Sequence, residues 1–136
     1  MILVTGAAGF IGSVIVKHLN DSGIEDLILC DHFESGDKWK NLRDLKYTSF
    51  VQVEDLFNHE IWKKVGALKA IYHMGACSDT TELNMDFLYK NNTEYTNRLL
   101  TLAAEKNIPI VYASSAATYG AGEQGYFDDH NELSKL

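Results

Sequence analysis

The chain has 136 residues, 46% of them apolar, and a formal net charge of −7 from 12 Lys and Arg against 19 Asp and Glu. That length suits one domain around one core, and the acidic balance excludes a nucleic-acid surface, which needs a basic stripe. No apolar run approaches the roughly 20 residues that cross a bilayer, and no basic segment precedes Met1-Ile2-Leu3-Val4 as in a signal peptide. Neither a nucleic-acid nor a membrane partner is expected. Cys30 and Cys77 form no CxxC and no metal cluster, so they read as free thiols of a reducing cytoplasm, with no metal site.

Short apolar runs alternate with helical stretches. Ile2-Leu3-Val4 reads as a first strand, and Phe10 to Asn20 as a helix with Ile11, Val14, Ile15 and Leu19 near helical spacing and Gly23 as its stop. Leu27-Ile28-Leu29-Cys30 is a second strand. The polar stretch His32 to Lys46 reads as a long loop or a loop with a helical turn. Phe50-Val51-Gln52-Val53 is a third strand, and a helix is expected from about Asn58 to Val65. Ala70-Ile71-Tyr72-His73 is a fourth strand. The longest helix is expected from about Met85 to Lys106, with Leu88, Tyr95, Leu99, Leu102 and Ala103 on its apolar face. Ile110-Val111-Tyr112-Ala113, entered through Pro109, is a fifth strand, and the acidic tail from Tyr126 is turn-like. Strands with continuous apolar runs belong to parallel sheets covered on both faces. The alternation predicts the α/β class: a Rossmann-type, doubly wound parallel sheet of at least five strands.

Chemistry concentrates at the ends of the strands. Gly6, Gly9 and Gly12 stand between the first strand and the first helix, the context in which a glycine-rich turn holds phosphate. Gly6 permits a tight turn, Gly9 lets a pyrophosphate approach the backbone, and Gly12 lets the helix pack close to the sheet. The free N–H groups and the dipole of that helix then face the anion. Asp31 ends the second strand, nineteen residues after Gly12, where an acid accepts hydrogen bonds from an adenosine ribose. An acid also repels a 2′-phosphate, but His32 and Lys38 follow and offset it, so NAD and NADP both stay open. Asp55 is either a partner for an adenine amine or a helix N-cap. His73 reads as a core histidine at a strand end more than as an acid or base.

Together these segments resemble the extended short-chain dehydrogenase/reductase family. The residues that carry the resemblance are Thr5 to Gly12, Asp31, Asp55-Leu56, His73-Met74-Gly75-Ala76, Asn91-Asn92 and Ala113 to Gly120. Gly75 to Glu82, the asparagine pair and Tyr112 to Gly120 are most similar to the branch that epimerises nucleotide-activated heptoses. The resemblance implies a dinucleotide-binding domain over residues 1–136 and NADP-dependent epimerisation of a nucleotide sugar, an ADP-heptose at C6, through a transient ketone. NAD is the alternative cofactor, other nucleotide-sugar epimerases or dehydratases the alternative activity, and a homo-oligomer the expected assembly of the full-length enzyme. Cofactor contacts carry over to Gly6, Gly9, Phe10, Ile11, Gly12, Asp31, His32, Lys38, Asp55, Leu56, Met74, Gly75, Ala76, Cys77 and Ser78. They also carry over to one of Asn91 and Asn92; spacing to Thr96 favours Asn92. Lys38 is the implied phosphate partner. His32 replaces an Asn common after the acid, and Val53 stands where some members have a lysine. Ser115 matches the family's catalytic hydroxyl, which bonds the reacting sugar oxygen.

The family's Tyr-x-x-x-Lys pair does not occur here: none of the seven tyrosines has a lysine four residues on. In that pair the lysine lowers the tyrosine pKa by its charge. The chain is therefore expected to be the N-terminal, cofactor-binding part of an enzyme, incomplete at its C-terminus and inactive alone. A non-catalytic module that senses NAD(P) is the competing reading.

Overall fold

The computed structural model describes residues 1–33, 36–58, 68–127, 129 and 131. Its centre is a five-stranded sheet: β1 (Ile2–Thr5), β2 (Leu27–Asp31), β3 (Ser49–Gln52), β4 (Ala70–His73) and β5 (Ile110–Tyr112). The order is β3-β2-β1-β4-β5, and every neighbouring pair is parallel. β1 thus lies in the middle, with Thr5 beside Cys30 on one side and His73 on the other. The strand order reverses there, and that is where such sheets bind ligands beyond their carboxyl ends.

Strand alternation feeds two cores. Leu3, Ile28, Cys30 and Ile71 point to one face, where Tyr95, Leu99 and Ala103 cover them. Val4, Leu27 and Leu29 point to the other, against Val16 and Leu19. The expected doubly wound α/β arrangement is therefore present. The expectation that strands are buried on both faces holds for β2, which is buried throughout, and not for β3 or β5. Among the described residues β3 and β5 end the strand order, so each has a sheet neighbour there on one side alone.

Helix α1 (Phe10–Asp21) starts after Gly9, whose backbone is extended, and stops at Gly23. There the Gly23 N–H donates to the Asn20 carbonyl and the Ile24 N–H to that of Leu19, with Gly23 at φ 78°. This is a Schellman stop, which favours glycine because the left-handed conformation carries no Cβ penalty. The loop after β2 contains one short 3₁₀ turn, Lys38–Leu42. The expected helix from Asn58 to Val65 lies, after Asn58, outside the described residues.

The helix expected from Met85 to Lys106 departs from its reading. It runs as α2 (Met85–Leu88), a π-helical turn (Tyr89–Glu94) and α3 (Tyr95–Glu105). The wider π turn holds Asn91 and Asn92, polar residues on the same stripe as Leu88 and Tyr95. Such turns let an element re-aim side chains without ending. Among the described residues no helix is long and apolar enough to cross a membrane.

Candidate functional site

The turn after β1 sets the geometry. Gly6 has φ 63°, and a Cβ there would sit 2.7 Å from the Gly75 nitrogen. The turn therefore touches the loop after β4 backbone to backbone. A Cβ on Gly12 would run into the Gly6 carbonyl oxygen, so α1 is held hard against the turn. A Cβ on Gly9 would lie 3.2 Å from that same oxygen. Helix geometry leaves the Phe10, Ile11 and Gly12 N–H groups without intrahelical acceptors. No acidic residue lies in the first turn of α1 to oppose an anion.

Asp31 closes the turn from β2. Its Oδ2 accepts from the Ala8 N–H at 2.8 Å, and its Oδ1 accepts from the His32 N–H at 2.8 Å and from Lys38 Nζ at 2.8 Å. Asn41 Nδ2 donates to the Ala8 carbonyl at 2.8 Å. Both backbone groups of Ala8 are thus tied by side chains, one from the end of β2 and one from the β2–β3 connection. The Lys38 ammonium answers the charge of an Asp31 carboxylate that is 5% exposed.

Two adjoining hollows, of about 400 and 860 Å³, share His32, Val53, Phe87, Asn91 and Tyr95 in their walls. The smaller runs from the glycine turn past Asp31 and Lys38 to the loop Met74, Gly75, Ala76, Cys77 and Ser78. The larger continues between the end of β3 and the π turn, where the Arg98 guanidinium stacks 3.9 Å over the Phe57 ring. The groove crosses the carboxyl ends of β1, β2 and β4.

The asparagine pair divides its work. Asn92 Oδ1 accepts from the Cys77 N–H at 2.8 Å, and its Nδ2 donates to the Cys77 carbonyl at 3.0 Å. Asn92 thus straps the loop, while Asn91 lines the groove and donates to Asn92 Oδ1 at 3.0 Å. Asp55 is exposed on a 3₁₀ turn (Val53–Asp55), outside both groove walls, and the Leu56 side chain is core. Ser115 is exposed too. Its Oγ accepts from the Ala117 N–H at 3.2 Å as the cap of a 3₁₀ turn (Ala116–Tyr119), and it does not line the groove.

His73 is a core histidine, as its strand-end place suggests. Burial lowers its pKa to about 4. Its Nδ1 lies 2.6 Å from Thr5 Oγ1 and its Nε2 lies 2.9 Å from Thr96 Oγ1. Cys30 and Cys77 are free thiols. Cys30 is buried 3.5 Å from the Tyr95 hydroxyl, and burial raises its pKa to about 12. Burial also raises the Tyr95 pKa, with Cys30 adding to it. Sequence reasoning assigned no contact to Thr5, Thr96, Val53 or Phe87. A polar Thr immediately before Gly6, and another four residues after Asn92, were the available signals.

The glycine cradle, the free first-turn donors and the groove beyond them fit a dinucleotide. The sequence profile of the NAD dependent epimerase/dehydratase family matches residues 2–135. The ADP-L-glycero-D-manno-heptose-6-epimerase of Fusobacterium nucleatum subsp. nucleatum is 48% identical over 139 residues, which cover 100% of this chain and 42% of that protein. The crystal structure of the Helicobacter pylori ADP-L-glycero-D-manno-heptose-6-epimerase superposes with a TM-score of 0.76 at 31% identity, covering 96% of this chain and 44% of that one. The UDP-glucuronic acid 4-epimerase of Bacillus cereus, solved in complex with NAD, does so at 0.69 and 28% identity, covering 88% and 41%. The chain spans about two fifths of the length of the relatives it matches.

Proposed function

This chain belongs to the NAD dependent epimerase/dehydratase family, and from that premise we propose that residues 1–136 are the cofactor-binding part of a nucleotide-sugar epimerase. Its substrate in this reading is ADP-glycero-manno-heptose, inverted at C6 through a transient keto sugar. The observation that carries the reading is the groove from the Gly6–Gly12 turn to the Met74–Ser78 loop, on a chain that aligns along its length with an ADP-heptose epimerase. When bound, the nicotinamide dinucleotide supplies the hydride acceptor and donor.

The chain's own residues hold it. The N–H groups of Phe10, Ile11 and Gly12 take the pyrophosphate. Asp31 spends three of its roughly four acceptor sites on Ala8, His32 and Lys38. One site remains for a ribose hydroxyl. Because Lys38 neutralises that carboxylate, a 2′-phosphate meets an ammonium rather than a bare acid, which supports NADP as the preferred cofactor. Asn91 meets the ligand from the groove wall, and Asp55, which stands outside the walls of both hollows, is assigned to the adenine amine. Ser115 bonds the reacting sugar oxygen.

Calorimetry with NADP⁺ and NAD⁺, beside an epimerisation assay, tests the reading. The chain is expected to bind both cofactors, NADP⁺ more tightly, and to show no turnover. Binding of neither overturns the dinucleotide reading; turnover by the chain alone overturns the need for a Tyr-x-x-x-Lys pair. In the whole-length protein Ser115→Ala is expected to lower kcat by about 10²-fold or more, as loss of an oxyanion donor does, with Ser114→Ala as control. A near-normal kcat moves the role to Thr118.

A further inference from the structure

We infer that Thr5 and His73 are positioning residues of the groove: one chain of hydrogen bonds, from the Gly75 N–H through Thr5 and His73 to Thr96, sets the distance between its two walls. The inference rests on the dinucleotide reading of that groove. The Gly75 N–H can donate and nothing else, so Thr5 Oγ1, 3.2 Å away, accepts from it. Thr5 also bonds the Tyr95 hydroxyl; in the proposed chain its second lone pair accepts from that hydroxyl and its one proton goes to His73 Nδ1 at 2.6 Å. With Nδ1 accepting, the neutral ring carries its proton on Nε2, which donates to Thr96 Oγ1 at 2.9 Å. Thr5 and His73 are both buried, and the Tyr95 ring meets the imidazole edge-on with centroids 5.2 Å apart.

Placement gives the chain its function. Thr5 immediately precedes Gly6, and Gly6 lies against Gly75 too closely for a Cβ to intervene. The Thr5–Gly75 bond therefore fixes how far the glycine turn stands from the loop that forms the opposite wall. Met74 is tied to the same strand end, its N–H donating to the Thr5 carbonyl at 3.1 Å. The far end of the loop is held by Asn92 on Cys77, one helical turn before Thr96. One helix thus grips the loop directly through Asn92 and indirectly through Thr96 and His73. A network that is complete is rigid, and one missing member leaves buried donors unpaired.

The test compares isosteric and conservative variants. Thr5→Val keeps shape and removes the hydroxyl; Thr5→Ser keeps the hydroxyl. Thr5→Val is expected to weaken NADP⁺ binding by about tenfold or more, and Thr5→Ser to restore it to within about twofold, with both folded by circular dichroism. Nitrogen NMR of the cofactor-free wild type is expected to show His73 as the Nε2–H tautomer. Should Thr5→Val fail to fold, Thr96→Val takes its place, with weaker NADP⁺ binding expected and Thr96→Ser as its rescue. An Nδ1–H tautomer, or a folded Thr5→Val or Thr96→Val chain that binds like wild type, overturns the positioning role. A wild type that binds neither cofactor overturns the dinucleotide reading itself, while the tautomer still judges the hydrogen-bond chain.

Discussion

Thr5 and His73, at the ends of β1 and β4, are buried and bonded to partners from other elements. Ser115, three residues past β5, is exposed and bonded to an N–H two residues on. The two regions lie on the same rim of the same sheet. The first is organised by contacts across the fold and is complete without a ligand. The second is organised by its own turn. In the proposed function, a cofactor entering the first would find its walls already set, so little ordering entropy would oppose binding. The Ser115 hydroxyl, by contrast, is open to solvent.

Four measurements sharpen or break this contrast. The largest effect is expected from Gly12→Ala. Its Cβ falls on the Gly6 carbonyl, backbone against backbone, so the turn must shift. A loss of about 3 kcal/mol or more is expected in denaturant unfolding, against about 0.5 kcal/mol or less for Gly36→Ala, where a Cβ meets nothing within 4 Å. Equal losses would remove the argument for a preset turn.

Acid comes next. Burial lowers the folded-state pKa of His73 from 6.5 to about 4. The unfolded chain therefore binds the proton first as pH falls. The contribution of neutral His73 is complete above about pH 6.5 and disappears as pH falls toward 4, by on the order of 3 kcal/mol in total. Denaturant midpoints across that window should show the slope in wild type and a flatter one in His73→Gln. Parallel slopes would assign the acid sensitivity to other groups.

Lys38→Ala should change the ratio of NADP⁺ to NAD⁺ affinity by about 1 kcal/mol, and less at high salt, because the ammonium is partly exposed. An unchanged ratio in calorimetry removes Lys38 as the phosphate partner. The smallest effect is expected from Ser115→Ala in this chain, with stability within about 0.5 kcal/mol of wild type and cofactor affinity unchanged. A larger loss in thermal or chemical unfolding would mean that the β5 end is as tightly built as the β1 end.

Much of the fold was legible because burial leaves a periodic trace. The apolar runs located all five strands, and Gly23 marked the stop of α1. The π turn left a different trace. Asn91 and Asn92 interrupt the stripe that Leu88 and Tyr95 begin, but a period of 3.6 cannot report a wider turn. Partners were harder to read than elements. The glycine turn could be located by spacing, but nothing local shows that Asp31 bonds the Ala8 N–H, twenty-three residues away. The same holds for Leu56. An apolar residue beside Asp55 matches a cofactor segment, and in the fold its side chain fills the core under β1, β2 and β4. Thr5 and His73 meet across 68 residues, a distance at which periodicity carries no information.

That separation also orders events during synthesis. β1 leaves the ribosome before both of its neighbours, and its pairing with β4 joins residues 68 positions apart, Ile2 with Ala70 among them. At 5–20 residues per second, roughly 3–14 s pass between the making of one strand and the other. For that time the strand that carries the glycine turn has one bare edge, and contacts this distant in sequence close slowly. The strand at the middle of the sheet is thus the one whose backbone waits longest for its last neighbour.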